Sequence, residues 1–428
     1  MPKFTRVDAH ISMVKEKGGL RKLDSTLDEA ISVSYPIDKP EEGEFPVLRT
    51  VLKREERFTL GGDRRTDYVA ELGYDPVDES VNFYLQTAKF IYGAFGSCVT
   101  TGTSYAPAKT GTIDSGGGTK ILTVTGIVLT PDAHIGDMLE ITVGDRVGNK
   151  YEIVDNDAST ITVDINTPIN IDADQFEIKT VPFLHHITHA KILPTFAMKF
   201  DMPDVLNDER ILMDLLGIII KSHELTIEQG GDAIQAVGII GAKSVEGNPI
   251  TNPAEPLDTP LKWGHLSELD LSYDGENPIR AEICDSITIT TENDSEIKPV
   301  VGDFWSRHQK DGTVTDMFRL HYFPDSKLLY DLRNICIKDL VDDINLTLKL
   351  KETNCAGEDF GDYERYIKWV VTKMYVAEHP TGIPSKDDHE MGVDCTLMIL
   401  PEGDIYVEAQ DAYGLIHYEG STPTPDGE

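Results

Sequence analysis

Closely spaced cysteines are missing from this chain of 428 residues. Its cysteines are odd in number and far apart, and no C-x-x-C pair occurs; they are Cys98, Cys284, Cys336, Cys355 and Cys395. Disulfide frameworks and structural zinc sites use paired cysteines at short, regular spacings. The pattern therefore argues against both kinds of site and predicts reduced, mostly structural thiols.

Long apolar runs are also missing. The longest, LLGIII at residues 215–220, is far shorter than the ~20 apolar residues of a membrane-spanning helix. The first residues, MPKFTRVDAHISM, contain no apolar segment flanked by positive charge, so they do not predict a signal peptide. We expect no membrane insertion, and a protein that is made and kept in a cytoplasm-like compartment or released by lysis.

Positive charge is scarce. The chain has 39 lysines and arginines against 74 aspartates and glutamates, which gives a formal net charge of −35. Such a surface repels nucleic-acid phosphates, so tight binding of nucleic acid is not expected. A soluble acidic protein, or one from a salty habitat, is the simpler explanation of the charge. The length allows two or three domains with a sizeable core.

Catalytic motifs are absent as well: the sequence has no G-x-S-x-G, H-E-x-x-H or G-x-G-x-x-G. The glycine cluster at residues 115–120, SGGGTK, lacks the spacing of a phosphate-binding loop, and we interpret it as a flexible linker into an insertion. The acidic DNDAS segment at Asp155 and Asn156 lacks the calcium-loop pattern and predicts a hairpin turn. We therefore expect no enzyme and no cofactor.

Two histidines come closest to a metal site. His185 and His189, in the sequence HHITH, would share one face of a strand. No glutamate completes a metalloprotease pattern around them. We therefore predict no metal and interpret these histidines as buried or interface residues.

A strand–turn–helix pattern occurs twice, at residues 66–95 and 315–336. Both copies open with Thr-Asp, run through an apolar strand and turn at a proline. In the first copy, Asp78 or Ser80 is the expected helix N-cap, and Gly93 or Gly96 the expected end. The expected apolar face of this helix is Val81, Tyr84, Leu85, Ala88, Ile91, Tyr92 and Phe95. Three long strand patterns follow each copy, so we predict an internal duplication.

Other segments complete the domain plan. Residues 47–60 are expected to pair with the strand that begins at Tyr68, and residues 97–119 to form a loop. Five short strand patterns between residues 110 and 180 predict a small inserted barrel or sandwich. The predicted parts are an N-terminal arm (1–45), a first repeated domain (46–109 and 181–275), an inserted β domain (110–180), a second repeated domain (276–415) and a flexible tail (416–428).

Several of these strands together resemble the major tail tube proteins of long-tailed, siphovirus-like viruses. The resemblance lies in the order and length of LPTFAMKF, LLGIIIKSHELTIEQGGDAIQAVGIIGAKS, HLSELDLSYDG, AEICDSITITTENDSE and TVTDMFRLHYFPDSKLLYDL. It covers most of residues 45–413 outside the insertion. It implies a mainly β fold, with duplicated tail-tube-like β-sandwich or half-barrel domains, each with a flanking α-helix, plus the small inserted all-β domain.

The resemblance also implies a function. Tail tube subunits assemble into stacked rings that form the conduit for viral DNA, so the chain would be a structural protein of the virion tail, assembled in the host cytoplasm. Its partners would be other copies of itself, the terminator, tape measure and distal tail proteins, and passing DNA that is not tightly bound. The duplication favours homotrimeric, pseudo-hexameric rings over homohexameric ones. Residues 1–65 and 246–263 are candidates for contacts between rings.

An acidic lumen would keep DNA from adhering to the tube wall. Strand alternation makes Glu71, Asp201, Glu224 and Glu228 candidates for lumen-lining residues, and a solvated outer face is the alternative reading of each. A second hypothesis is a virion adhesin or decoration protein that binds carbohydrate. The inserted domain and the tryptophans Trp263, Trp305 and Trp369 would then supply the aromatic platforms.

Overall fold

The computed structural model describes residues 10–16, 51–57, 68–163, 166–204, 209–228, 230–247, 260–262, 267–272, 279–280, 284–299, 306–322, 344–351, 364–378 and 393–411. The chain divides into two compact units. The first contains Met1–Ser97, Thr188–Glu358 and Lys368–Tyr406, and the second contains Cys98–Ile187, Asp359–Ile367 and Val407–Glu428. Most described residues lie in antiparallel strands, which confirms the prediction of a mainly β protein.

The described part of the chain contains one α-helix, α1 (Lys89–Phe95), and it is too short to cross a membrane. The strands in chain order are β1 (His10–Lys15), β2 (Val51–Arg57), β3 (Tyr68–Asp75), β4 (Val77–Tyr84), β5 (Gly96–Ser115), β6 (Ile121–Thr125), β7 (Met138–Val143), β8 (Lys150–Asn156), β9 (Thr160–Val163), β10 (Gln175–His189), β11 (Phe196–Asp204), β12 (Glu209–Glu228), β13 (Ile234–Glu246), β14 (Glu268–Ser272), β15 (Ile279–Arg280), β16 (Cys284–Asn293), β17 (Glu296–Pro299), β18 (Ser306–Lys310), β19 (Val314–Tyr322), β20 (Ile344–Lys351), β21 (Tyr366–Glu378) and β22 (Val393–Asp411).

Two groups of five strands organise the first unit. One group is paired in the order β1-β11-β12-β13-β4, and we call it the first strand set. The other is paired in the order β14-β20-β21-β22-β19, and we call it the second strand set. Strand β16 pairs with β12 of the first set and with β19 of the second, so it joins the two sets. Hairpins β2–β3 and β17–β18 are separate two-stranded sheets.

The long strand β12 has two parts that meet at Lys221. Residues 213–220 are all buried, whereas residues 222–228 alternate between buried and more exposed positions. The register with β13 shifts between Ile220 and Ser222, as in a β-bulge. Helix α1 covers one side of the buried part, because Gly93 lies directly against Ile220. On the other side Ile219 packs with Ile297 of β17.

The predicted helix is only half right. Strand β4 replaces its first part and pairs with β13, and the helix itself begins at Lys89 after Ala88, which has no side-chain cap. Neither Asp78 nor Ser80 is therefore a helix N-cap, and Pro76 separates two strands. Val81 and Phe83 are buried between exposed neighbours, which is the two-residue period of a strand. The predicted end is confirmed at Gly96, which has φ 97° and bonds back to the carbonyl of Tyr92.

The second copy of the pattern is described only in its strand, β19, and its predicted helix at residues 323–336 lies outside the described residues. The predicted hairpin between residues 47–60 and the strand from Tyr68 is confirmed as β2–β3. Of the predicted N-terminal arm, β1 pairs with β11. Glu16, just after β1, is buried and accepts a hydrogen bond from the N–H of Gly217; its burial raises its pKa to about 7. The predicted tail, residues 416–428, lies outside the described residues.

The second unit is built from six strands that pair in a closed circle, β5-β6-β9-β8-β7-β10 and back to β5. All five strand patterns predicted between residues 110 and 180 are strands. Asp155 and Asn156 end β8, and the predicted turn follows, closed by a bond from the Asp157 N–H to the Thr160 carbonyl. The core consists of Ile113, Leu122, Val124, Leu129, Leu139, Ile141, Tyr151, Ile153, Ile161, Val163, Ile171, Phe176 and Ile178.

The predicted loop at residues 97–119 is wrong, because β5 occupies most of it. Side chains on both sides of β5 are largely exposed, so the sequence lacks the apolar alternation that marks a strand. The glycine cluster is the tight turn between β5 and β6 rather than a flexible linker. Gly116 and Gly118 have positive φ, and the Gly118 N–H donates to the Thr167 carbonyl.

Candidate functional site

One side of strands β12, β16, β19 and β22 forms a regular surface in the first unit. Its side chains form cross-strand rows, and we call it the polar side. The rows are Glu224–Thr290–Met317–Met398, Thr226–Thr288–Arg319–Thr396 and Glu228–Ser286–His321–Asp394. All of these residues except Thr396 are partly or fully exposed. The surface is therefore a hydrophilic sheet face that crosses from one strand set to the other.

The opposite side of the same four strands is apolar, and we call it the buried side. Its rows are Leu225–Ile289–Phe318–Leu397 and Ile227–Ile287–Leu320–Cys395, and every member is buried. The alternation comes directly from the sequence, as in SITIT at residues 286–290 of β16, where isoleucines point inward and hydroxyl residues outward. Because only one side of these strands is buried, a slip by one residue would expose the apolar side chains, and the register is therefore fixed.

Carboxylates dominate the charge of the polar side. Glu224 and Glu228, two of the predicted lumen candidates, are exposed there. The Nδ1–H of His321 donates to Asp394 Oδ1 at 2.8 Å, and Arg319 is exposed in the neighbouring row. Chemically the surface offers hydroxyls and carboxylates to solvent.

The other two lumen candidates lie elsewhere. Asp201 is on β11 and is 1% exposed, so its carboxylate does not face solvent in the single chain. Glu71 is on β3, where its backbone pairs with Arg54 of β2. Sequence alternation placed all four candidates on strands, and only the burial seen in the structure separates Asp201 from the exposed Glu224 and Glu228.

Buried polar groups tie helix α1 to the buried side. Asp316 accepts hydrogen bonds from the Thr291 hydroxyl at 2.7 Å and from the His189 Nε2–H at 2.9 Å. The His189 ring is stacked on Phe95 at the end of the helix, with centroids 4.2 Å apart. Asn293 Nδ2 donates to the carbonyl of Ala94. These contacts fix the helix over β16 and β19.

His185 has a different environment, in the second unit. It is completely buried, with Nδ1 2.8 Å from the Thr100 hydroxyl and Nε2 3.1 Å from Asp411 Oδ1. Burial alone lowers the pKa of the imidazole, but the Asp411 charge and hydrogen bond raise it to about 9. His185 and His189 thus bind two separate aspartates. Among the described residues no cluster of three or more potential metal ligands occurs.

His223 provides a pH prediction. It is buried, its Nε2–H donates to Gln235 Oε1 at 2.9 Å, and burial lowers its pKa to about 4. The unfolded chain binds a proton below pH 6.5, but the folded chain binds it only near pH 4, so stability falls as the pH drops through this window, by about 3 kcal/mol in total. His223→Gln should remove this part of the pH dependence of the unfolding free energy, measured by urea denaturation at several pH values between 7 and 4. The exposed His186→Gln is the control, and an unchanged pH dependence in His223→Gln would contradict the prediction.

The tryptophans bear on the carbohydrate-binding alternative. Trp369 is 1% exposed and lies inside the core, so it is not an aromatic platform, and this part of the expectation is wrong. Trp263 and Trp305 lie outside the described residues. In the described part of the second unit, the large apolar residues that are exposed are aliphatic, among them Val128 and Ile169. Stacking on sugar rings needs aromatic faces, which these residues do not supply.

Asp316 and Asp411, the partners of the two histidines, were not predicted from the sequence. Each lies more than a hundred residues from its histidine, and no local spacing signals the contact. A scan against models of known protein families finds no match, and a search of curated proteins finds no similar sequence. The two-sided sheet and its pairing order are therefore the observations that bear on function.

Proposed function

We propose that this chain is a structural protein of a viral tail, a tube subunit without enzymatic activity whose copies form stacked rings around a conduit for DNA. The proposal combines the sequence resemblance with one structural observation. That observation is the same pairing order in two strand sets of one chain, joined by a shared strand into a sheet with one polar and one buried side.

The two strand sets support the duplication within this proposal. In each set the edge strand β4 or β19 precedes three long strands in the chain, and the other edge strand, β1 or β14, comes earlier still. The last of the three pairs back with the edge strand, as β13 does with β4 and β22 with β19. The middle strand of each set is irregular at a lysine, with a register shift at Lys221 and a φ of 55° at Lys373. The shared order of these strands in the two sets supports the duplication.

The junction between the sets supports ring formation. Strand β16 lies between β14 and β19 of the second set in the chain, and it pairs with β12 of the first through seven residues from Ser222 to Glu228. A ring in which every set joins the next in this way removes open sheet edges, which are otherwise sites of uncontrolled pairing. With two sets per chain, three chains give a pseudo-sixfold ring. Residues 1–65 and 246–263 remain the candidates for contacts between rings.

The polar side supports a lumen that does not hold DNA. Helix α1 covers the buried side, whereas Glu224 and Glu228 are exposed on the polar side. DNA that passes an acidic wall has no counterion release to gain, so it does not bind tightly. In the proposed tube the polar side faces the lumen and these two carboxylates line it.

Assembly is the direct test. The net charge of −35 makes copies repel one another at low ionic strength, and salt screens this repulsion over about 10 Å at 0.1 M. We expect concentrated protein to form rings or tubes in electron micrographs, more of them at 0.5 M than at 0.02 M salt, with three chains per ring by mass measurement. A protein that stays monomeric at high concentration and salt, together with hits on a glycan array, would favour the adhesin hypothesis.

A further inference from the structure

The two strand sets differ in how one side of each is covered. In the first set the polar side of β11 is buried, with Ala197, Lys199 and Asp201 all below 5% exposed. In the second set the equivalent strand β20 is buried on one side only, and Thr347 and Lys349 on its other side are partly exposed. Val370 of β21 is also partly exposed. The two sets therefore share a pairing order, but this side is covered in the first set and more open in the second.

Hairpin β17–β18 provides part of the cover of the first set. Ile297 of β17 packs in an apolar cluster with Leu193, Ile219, Ile240 and Ala242. Gln309, in β18, donates from Nε2 to the Leu193 carbonyl at 3.1 Å, and Asp311 accepts from the Leu193 N–H. The hairpin therefore lies on the polar side of β12 and β13, before the irregularity at Lys221.

The position of this hairpin in the chain is informative. It lies directly before β19, the edge strand of the second set, yet it covers the first set. Hairpin β2–β3 has the same place before β4, the edge strand of the first set: β3 ends at Asp75 and β4 begins at Val77. Both hairpins are two-stranded sheets separate from the large one. If the two sets are repeats, each hairpin covers the set that precedes its own.

No strand set precedes the first one within a single chain, so the set that β2–β3 covers must belong to another copy. We propose that the partly exposed side of β14, β20 and β21 in the second set is the docking surface for hairpin β2–β3 of a second copy of this chain. This inference rests on the tube function proposed above, because it takes the ring to repeat the junction seen between the two sets.

The charges of the surface suit contact between two acidic chains. Glu268 and Asp270 on β14 are accompanied by three lysines, Lys349, Lys351 and Lys368, on β20 and β21, so this surface does not share the acidity of the chain as a whole. The Lys351 and Glu268 side chains already lie 3.8 Å apart across β20 and β14. Strands β2 and β3 contain both signs in similar number. Two surfaces of this kind approach without the repulsion that the rest of each chain exerts.

A photocrosslinking experiment tests the contact in the full chain. Val370 is replaced by p-benzoylphenylalanine, and Thr290, on the polar side of β16, is replaced in the same way as a matched control. Assembly is first checked by electron microscopy, and mixing unlabelled with ¹⁵N-labelled copies identifies crosslinks between chains by mass. We expect position 370 to crosslink to peptides from residues 51–75 of another copy in rings, and position 290 to give none of these products.

The outcomes separate this inference from the tube function. Rings in which position 370 crosslinks to another region, or not at all, overturn the docking surface and leave the tube function intact. A chain that forms no assembly overturns both. A second variant, Val370→Glu, should raise the concentration needed for half-assembly at least tenfold without changing the circular dichroism of the monomer. Val128→Glu, on the second unit, is its control.

Discussion

Replacing Asp411 with asparagine should lower the free energy of unfolding by about 3 kcal/mol at pH 6. The variant leaves the His185 imidazolium buried without its counter-charge. The pKa of His185 is raised from its ordinary 6.5 to about 9, so the pair contributes its full stabilisation below pH 6.5. That stabilisation is lost as the pH rises through 9. The difference between wild type and variant should therefore shrink from pH 6 to pH 9.5, measured by urea denaturation.

An exposed pair of the same chemistry is the control for Asp411→Asn. His321 and Asp394 also form a histidine–aspartate bond at 2.8 Å, but both side chains are more than a third exposed. Solvent screens such a pair, so Asp394→Asn should change stability by less than about 0.5 kcal/mol at every pH. A similar small effect for Asp411→Asn would show that His185 does not carry a buried charge.

Replacing Phe318 with alanine should cost about 3–5 kcal/mol, the second large effect. Phe318 is fully buried in the central row of the buried side, between Ile289 and Leu397. Its removal leaves a cavity under the strands that join the two strand sets. Urea denaturation followed by circular dichroism should show a lower midpoint with an unchanged slope.

The adjacent residue provides a strict control, because Arg319 lies on the same strand with its side chain on the polar side. Arg319→Ala should change stability by less than about 0.5 kcal/mol, as exposed substitutions usually do. Comparable losses in Phe318→Ala and Arg319→Ala would contradict the two-sided sheet. The comparison therefore tests the orientation of the polar side independently of assembly.

Strands with clear apolar alternation were predictable. The repeated Ser/Thr and Ile of β16 and the alternating leucines of β20 predicted half-buried strands, and both are found. The prediction of secondary structure failed where the apolar residues fitted both helical and strand spacing. Val81, Leu85 and Ala88 have helical spacing, but pairing with β13 makes Val77–Tyr84 a strand and shortens the helix to Lys89–Phe95. Tertiary pairing overrode the local periodicity there.

Strand β5 was missed for a different physical reason. Its Thr-rich and Gly-rich sequence has few apolar residues, because both of its sides are largely exposed. Such a strand is held by backbone bonds to β6 and β10 rather than by side-chain burial, and backbone bonds leave no periodic trace in a sequence. The glycine cluster after it was likewise taken for a linker, although its positive φ angles form a tight turn.

The sequence by itself determined the acidic charge, the class of fold and the position of most strands, because these depend on composition and on the two-residue period of side chains. Only the tertiary structure decided which carboxylates are exposed, leaving Glu224 and Glu228 on the polar side and Asp201 buried. It also decided which aspartates hold His185 and His189. These contacts join residues more than a hundred positions apart, and chain spacing carries no record of which distant strands become neighbours.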